Sequence, residues 1–577
     1  MINEEEIYAK MRTVLEANID ISMLEEAGVE LFYTATSIPC LLKEDKAVQN
    51  MKNIVLFLGI ALLVLSILNY LVIVVSTLVT RIKEIAVNKC YGASTLNLFQ
   101  MTFAESLLHM SIALVLGVGL LYVFREKAAT LLAAQMSSLF TPRTLLLLFI
   151  ICLILLAITT IVPALIFEKV PVAAAFRSQK ESKRVWKLCL LFVQFAATAV
   201  IVCLLVTVAR QYDFIANADR GFSMERLLYC DVSSVTPEVR KRLENELRKM
   251  PEVEAATICY QLPFSASGNN IFLPGQNEQL FNVADMYCVT DDYFSTWEIP
   301  VIEGKIFDPQ ENNERNVMVN REFVRKMEVT AGWMGSIIGR QVCVTEHSER
   351  VDKLLEENGI SSNAFTIIGV FEDFRLGEPG NLELRPMTIF YDTEKAIGRA
   401  ANLMIKMREM SPEDVKKVND YLFSAVEDRH FSADPLYLRV VESLASERNI
   451  RDALLICSIV ALIIALVGLL GYTTDEVNRR RKEIAIRRVF GATSFRILWN
   501  LCRDVTFIAL PALLVGSLAA YFFAARWLQD YTDRISLSLT SFLLPALALY
   551  IIIIICITLR SRRAVNANPV ESLVMNG

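Results

Sequence analysis

The stretch Arg480-Arg481-Lys482-Glu483-Ile484-Ala485-Ile486-Arg487-Arg488-Val489-Phe490-Gly491-Ala492-Thr493 gathers guanidinium and ammonium groups around one carboxylate and then reaches a glycine. Arg81-Ile82-Lys83-Glu84-Ile85-Ala86-Val87-Asn88-Lys89-Cys90-Tyr91-Gly92-Ala93-Ser94 repeats it 399 positions upstream. Side chains of these types recognise partners by charge and hydrogen bonding. Basic residues alone would serve to hold an inner membrane surface. Glu84 and Glu483 work against that role, and Gly92 and Gly491 are natural stops for a short helix. Their recurrence at matching positions points to a surface that docks a protein. The candidate docking residues are Arg81, Lys83, Glu84, Ile85, Ala86, Lys89, Gly92 and Ala93 in the first copy. In the second they are Arg480, Lys482, Glu483, Ile484, Ala485, Arg488, Gly491 and Ala492. Glu105 and Asp504 share the same offset at the start of the following apolar runs. An acid there is explained by the helix dipole, with a role in coupling as the alternative.

Other chemistry is sparse. His109, His347 and His430 have no metal-ligand spacing, so no metal site and no cofactor are expected. Five of the twelve cysteines (Cys152, Cys189, Cys203, Cys457, Cys556) fall inside apolar runs as small apolar residues. Cys230, Cys259, Cys288 and Cys343 lie between runs and could pair, without any CxxC spacing to say how. No Gly-x-x-x-x-Gly-Lys-Ser/Thr loop occurs, so the chain is expected not to be an enzyme, and any nucleotide hydrolysis belongs to another polypeptide.

The elements that carry these residues are membrane spans. A hydrophobic fraction of 54% and a mean hydropathy of +0.41 exceed what an ordinary soluble chain of 577 residues shows. Seven apolar runs are long enough to cross about 30 Å of hydrocarbon: Asn53 to Val79, Ser106 to Phe124, Arg143 to Leu165, Leu188 to Ala209, Ala453 to Gly471, Val505 to Phe523 and Ser541 to Leu559. Four linkers or tails rich in Arg and Lys, following the first, third, fifth and seventh runs, belong on the cytoplasmic side. The insert from about Gln211 to Ile450 then lies outside. The net charge of -5 averages a basic inner face with an acidic exterior and indicates no nucleic-acid partner.

The repeat sets the organisation. Residues 1–50 read as the carboxyl end of a first external domain, with a strand-like Val29-Glu30-Leu31-Phe32-Tyr33, or alternatively as a short external cap. Residues 51–168 form a first module of three spans, 169–187 a basic linker, 188–210 a span, 211–450 an external domain, and 451–577 a second module. Val170-Pro171-Val172-Ala173-Ala174 matches Asn568-Pro569-Val570-Glu571-Ser572 after each module. Relative to the second half, the first lacks an opening span and most of an external domain. A missing amino-terminal segment, or a partner supplying it, is therefore expected.

Within the insert, Thr236-Pro237-Glu238 starts a helix that runs into strand-like Val253 to Tyr260. Asn402 to Met407 reads as a strand followed by a helix from Ser411-Pro412-Glu413-Asp414. Asn316 to Asn320 and Phe365 to Phe371 are further strands. The fold class expected is an α-helical membrane protein with seven transmembrane helices and a large extracytoplasmic α+β domain built from split β-α-β pieces.

These residues resemble the FtsX-like permeases of ABC transporters, close to the macrolide-exporter type. The cues are Arg-x-Lys-Glu-Ile-Ala followed by Gly-Ala-Ser/Thr after a span, twice over. The insert adds Asp291-Asp292-Tyr293-Phe294, Glu303-Gly304-Lys305-Ile306-Phe307, Val317-Met318-Val319-Asn320, Ile368-Gly369-Val370-Phe371-Glu372-Asp373-Phe374 and Pro386-Met387-Thr388-Ile389-Phe390, in the family's order. The resemblance implies a tandem permease of a bacterial inner membrane and a cytoplasmic ABC ATP-binding subunit, as a dimer, docked on the two basic motifs. It also implies mechanical transmission of hydrolysis to external domains, for export of a peptide, drug or lipoprotein with a periplasmic adaptor and an outer-membrane factor. The alternative is a transmembrane signalling protein that regulates an external enzyme without transport.

Overall fold

A computed structural model describes residues 46–126, 140–168, 185–344, 364–391, 402–426 and 431–565, apart from a few positions within them, singly or in pairs, together with Lys10, Val14 and Ala129. The expected strand at Val29 to Tyr33, most of the basic linker after the third span, and the Asn568-Pro569 tail lie outside the described residues. The chain divides into two compact units. One holds Met1–Leu205, Asn449–Ala520 and Thr540–Gly577, and the other Val206–Arg448 and Tyr521–Leu539.

Among the described residues, four long helices precede the sheet: α1 (Lys46–Cys90), α2 (Thr95–Val123), α3 (Pro142–Glu168) and α4 (Val185–Ala216). Their apolar residues run all the way round, as lipid-facing helices require. Helix α2 begins well before the apolar run because Ser94 caps it, with the Asn97 amide donating to Ser94 Oγ at 3.4 Å. Glu105 consequently sits almost three turns inside α2 and not in its first turn.

The sheet-bearing unit follows. Its elements are β1 (Leu227–Asp231), α5 (Pro237–Leu247), β2 (Val253–Cys259), β3 (Ser267–Ile271), β4 (Phe281–Val289), α6 (Tyr293–Thr296), β5 (Val301–Gly304), β6 (Asn316–Asn320), α7 (Arg321–Ala331), β7 (Gln341–Cys343), β8 (Ala364–Phe371), β9 (Met387–Tyr391), β10 (Asn402–Met407), α8 (Pro412–Val426), β11 (Asp434–Pro435) and α9 (Leu436–Ser443). The strand order is β11-β1-β10-β2-β4-β9-β6-β8-β5, with β3 on β4 and β7 on β8. The first four strands are antiparallel, and with α5 and α8 they make a β-α-β-β-α-β arrangement in the order 4-1-3-2. Leu243 and Leu247 of α5 and Val418 and Leu422 of α8 pack on one face against Leu228, Ile258, Leu403 and Ile405. The alternate residues Leu227, Cys259 and Met404 face the other side, onto Tyr293 and Trp297. The second lobe pairs β4 with β9 and β6 with β8 in parallel, under α7. Among the described residues, a single pairing, Cys259 with Val289, joins the lobes.

Helices α10 (Ala445–Arg479), α11 (Arg481–Val489), α12 (Ser494–Trp527) and α13 (Thr540–Val565) follow the sheet. Among the described residues seven helices are long and apolar enough to cross a membrane, and each overlaps one of the seven runs read from the sequence. Leu191, Phe195 and Ala199 of α4 pack with Ala465 and Leu469 of α10, Ala509 and Leu513 of α12, and Leu549 and Ile553 of α13. The two modules meet at repeat-equivalent positions, since a Cβ built at Gly468 would stand 2.8 Å from Asn69 Oδ1 and 2.7 Å from Gln194 Oε1.

Candidate docking surface

In the second copy the helix breaks. Helix α10 ends at Arg479, Arg480 forms a turn, and α11 carries Lys482, Glu483, Ile484, Ala485 and Arg488. Arg480 bonds Glu476 through Nε at 2.6 Å and Asp504 through Nη2 at 2.7 Å. Glu476, buried in α10, also takes Arg479 at 2.7 Å. Asp504 lies almost three turns inside α12, so it pairs with the basic motif and does not serve as a helix-start acid. The C-terminus of α11 closes with the Ala492 amide on the Arg487 carbonyl at 2.9 Å around Gly491 at φ +85°. That is the six-to-one bond and left-handed residue of a Schellman stop. Thr493 then caps α12, accepting from the Arg496 amide at 3.4 Å.

The first copy reaches the same stop by a different route. Arg81, Lys83, Glu84, Ile85 and Ala86 continue α1 without a break, and Gly92 takes φ +87°. Lys89 Nζ donates to the Glu168 carbonyl at 2.8 Å, so this residue caps the end of α3. Ala93 lies outside the described residues.

The apolar members of the motif divide between inward and outward roles. Ile484 is buried against Ile497, with Ala492 and Leu498 beside them, and so holds α11 onto α12. Glu483 pairs with Arg487 at 2.6 Å along its own helix. Phe490 and Tyr91, the residues before the two glycines, are 86% and 88% exposed. Ile486, Val489, Phe495 and Trp499 are exposed as well, and the last two stack at 6.5 Å between centroids. The motif thus presents uncovered apolar side chains beside its basic ones. The aromatic residues were missed from the sequence, although an aromatic before glycine in both copies was a usable signal. Also missed was Lys187 of α4, buried and bonded to Asp475 of α10 at 2.8 Å.

Cys230, Cys259 and Cys343 are free and buried, and Cys230 and Cys259 face opposite sides of the sheet. Burial, aided by Asp231 and Asp434, pushes the Cys230 thiol up to about 12, and burial alone does the same for Cys259. Such thiols are protonated and inert. The side chain of Cys288 lies outside the described residues. Among the described residues no three metal-ligating side chains converge.

Residues 56–172 and 455–569 each match the model of the FtsX-like permease C-terminal family. No curated protein matches the chain.

Proposed function

Because the chain belongs to the FtsX-like permeases, a family of ABC-transporter membrane subunits, and carries that family's C-terminal domain twice, we propose that it transmits ATP hydrolysis mechanically. A dimer of cytoplasmic ABC ATP-binding subunits docks on the two basic motifs, and the spans carry the motion to the sheet-bearing unit outside a bacterial inner membrane. The Arg480 bonds to Glu476 and Asp504 carry this reading, since they tie the turn from which the docking helix starts to two spans at once. A push on α11 therefore loads α10 and α12 together. Export of a peptide, drug or lipoprotein, with a periplasmic adaptor and an outer-membrane factor, is the activity this motion would serve. A partner that brings a further span and external segment completes the first module.

A second reading, regulation of an external enzyme without transport, draws on the spans themselves. Their described residues bring no row of buried charges into the apolar interior, and the Lys187–Asp475 pair lies near one end of α4. The deciding experiment reconstitutes the chain with its ATPase in liposomes. ATP-dependent cargo movement supports export, and a stable complex with an external hydrolase in its absence supports regulation. Cysteine labelling from outside at positions 300 and 380, and only from inside at 180 and 490, checks the orientation on which both depend.

A further inference from the structure

The turn that joins α12 to α13 is held by one aspartate. Helix α12 is continuous, with its residues up to Ala520 in one compact unit and those from Tyr521 in the sheet-bearing unit, and the turn 528–535 lies in the latter. Within that unit Asp533 bonds through four groups. Its Oδ2 accepts from the Leu382 amide at 3.1 Å and its Oδ1 from Arg375 Nη1 at 3.4 Å. Its amide donates to the Gly380 carbonyl at 3.0 Å, and its carbonyl accepts from Gln211 Nε2 of α4 at 2.8 Å. Thr532 adds two bonds, from its amide and its hydroxyl to Asn381 Oδ1 at 3.2 and 3.1 Å. Tyr531 lays its ring on Gly380, where a Cβ would stand 3.0 Å from Cδ1, and donates its hydroxyl to Glu447 of α10 at 3.1 Å. The loop gripped in this way, 375–383, is closed at its base by Leu376 and Glu383, which exchange backbone bonds at 3.0 and 2.8 Å. It joins β8 to β9, the two strands that flank β6 in the second lobe. Apolar contact alone would let the turn slide over such a loop. A carboxylate bonded to an amide and a guanidinium, on a residue whose backbone is bonded on both sides, fixes direction as well as distance. The 399-residue repeat puts Ala133 and Ala134 at the places of Thr532 and Asp533, so the first copy carries neither side chain.

We infer that Asp533 is the positioning residue through which α12 moves the β8–β9 loop, so that the turn 528–535 is the output end of a lever whose input is the docking helix α11. The inference rests on the mechanical reading of the chain and adds the place where motion of a span is handed to the sheet. Without the carboxylate the loop keeps its own closure at Leu376 and Glu383. The unit stays folded, and the loop no longer follows the helix.

The test uses the full chain in complex with its ATPase in nanodiscs, and reads amide hydrogen exchange over residues 375–385, with and without ATP and vanadate, beside the ATPase rate. In the unaltered chain trapping the nucleotide should change exchange in the loop about tenfold. Asp533→Ala should remove that response while hydrolysis continues, and Asp533→Asn, which keeps an acceptor for the Leu382 amide, should retain part of it. Thr532→Cys with Asn381→Cys, added to the Asp533→Ala chain and bridged by a short bis-methanethiosulfonate reagent, should restore the response, and reductant should abolish it again. Chains with one added cysteine control for reaction at the exposed Cys90 and Cys189. A response undiminished in Asp533→Ala, or lost there and not recovered by the bridge, would overturn the lever, as would an unaltered chain that hydrolyses ATP with no response in the loop. Failure of the ATPase to co-purify with the unaltered chain would instead overturn the permease reading, and the inference with it.

Discussion

Arg480 and Asp504 meet at 2.7 Å across the break between α10 and α11, and Glu476 holds the other edge of the same guanidinium at 2.6 Å. The fork geometry of arginine lets one side chain hold α10 and α12 together, which a lysine could not reproduce. Asp504→Asn should leave the fold intact and lower permease-stimulated ATPase activity about tenfold, the scale of a typical coupling energy. Arg480→Lys should fall between it and the unaltered chain. The check is the ATPase rate of the reconstituted complex.

The glycine stops make a conformational prediction. Gly491 and Gly92 sit at φ +85° and +87° with open space where a Cβ would go, so a substitution there strains the backbone and clashes with nothing. Valine should cost about 1–2 kcal/mol at the stop and weaken ATPase binding. Asparagine, which tolerates the left-handed region, should be nearly neutral. Equal losses for both residues would show that side-chain bulk, and not backbone shape, matters at this position.

Phe490 is exposed and touches little of its own chain. Phe490→Ala should therefore change thermal stability by less than about 0.5 kcal/mol, while costing about 2 kcal/mol in affinity for the ATPase if it anchors the interface. Binding isotherms beside melting curves separate the two effects. The first-copy Tyr91→Ala should act in the same direction.

Buried Lys406 of β10 gives the sheet-bearing unit a pH dependence. Its ammonium bonds Glu298 at 2.8 Å and lies 3.5 Å from Glu254. The Lys406 hydrogen bond holds the Glu298 carboxyl below the usual glutamate range, outweighing desolvation. A carboxylate depressed on folding stabilises above its unfolded value and loses that contribution as pH falls through the folded one. Melting temperature should accordingly drop on acidification below about pH 4.5, with a shallower drop in Lys406→Met. Replacing both partners, Glu254→Gln with Glu298→Gln, leaves the ammonium without a counter-charge, with the Ser295 carbonyl at 3.2 Å still accepting from it, and should cost about 3 kcal/mol at neutral pH, more than Lys406→Met does.

The spans were legible because each is a long apolar run that length alone identifies. The strands and helices of the insert were legible through local pattern, as at Asn402 to Met407 and the Ser411-Pro412 helix start. Their assembly was not. The pairing of Leu227 with Lys406 joins residues far apart in sequence, and no local signal states it. The Arg480–Asp504 bond was hidden for a related reason. It depends on α10 breaking at Arg480 and on α12 starting at Ser494, and the apolar run suggested a later start. In the first copy the equivalent helix does not break, so near-identical sequence gave no warning of the difference.

The central claim is that the two basic motifs dock a separate ATP-binding subunit, and co-purification measures it most directly. With Glu84→Lys and Glu483→Lys combined, the chain should still insert in the membrane, because its arginines and spans are unchanged. The charge presented to the partner is reversed at both sites. The account predicts that the tagged double variant retains little ATPase and fails to stimulate it, with Glu483→Lys alone more damaging than Glu84→Lys, since Asn88 stands where the second copy has Arg487. Recovery of the ATPase at the level of the unaltered chain would contradict it and reduce both motifs to membrane anchors.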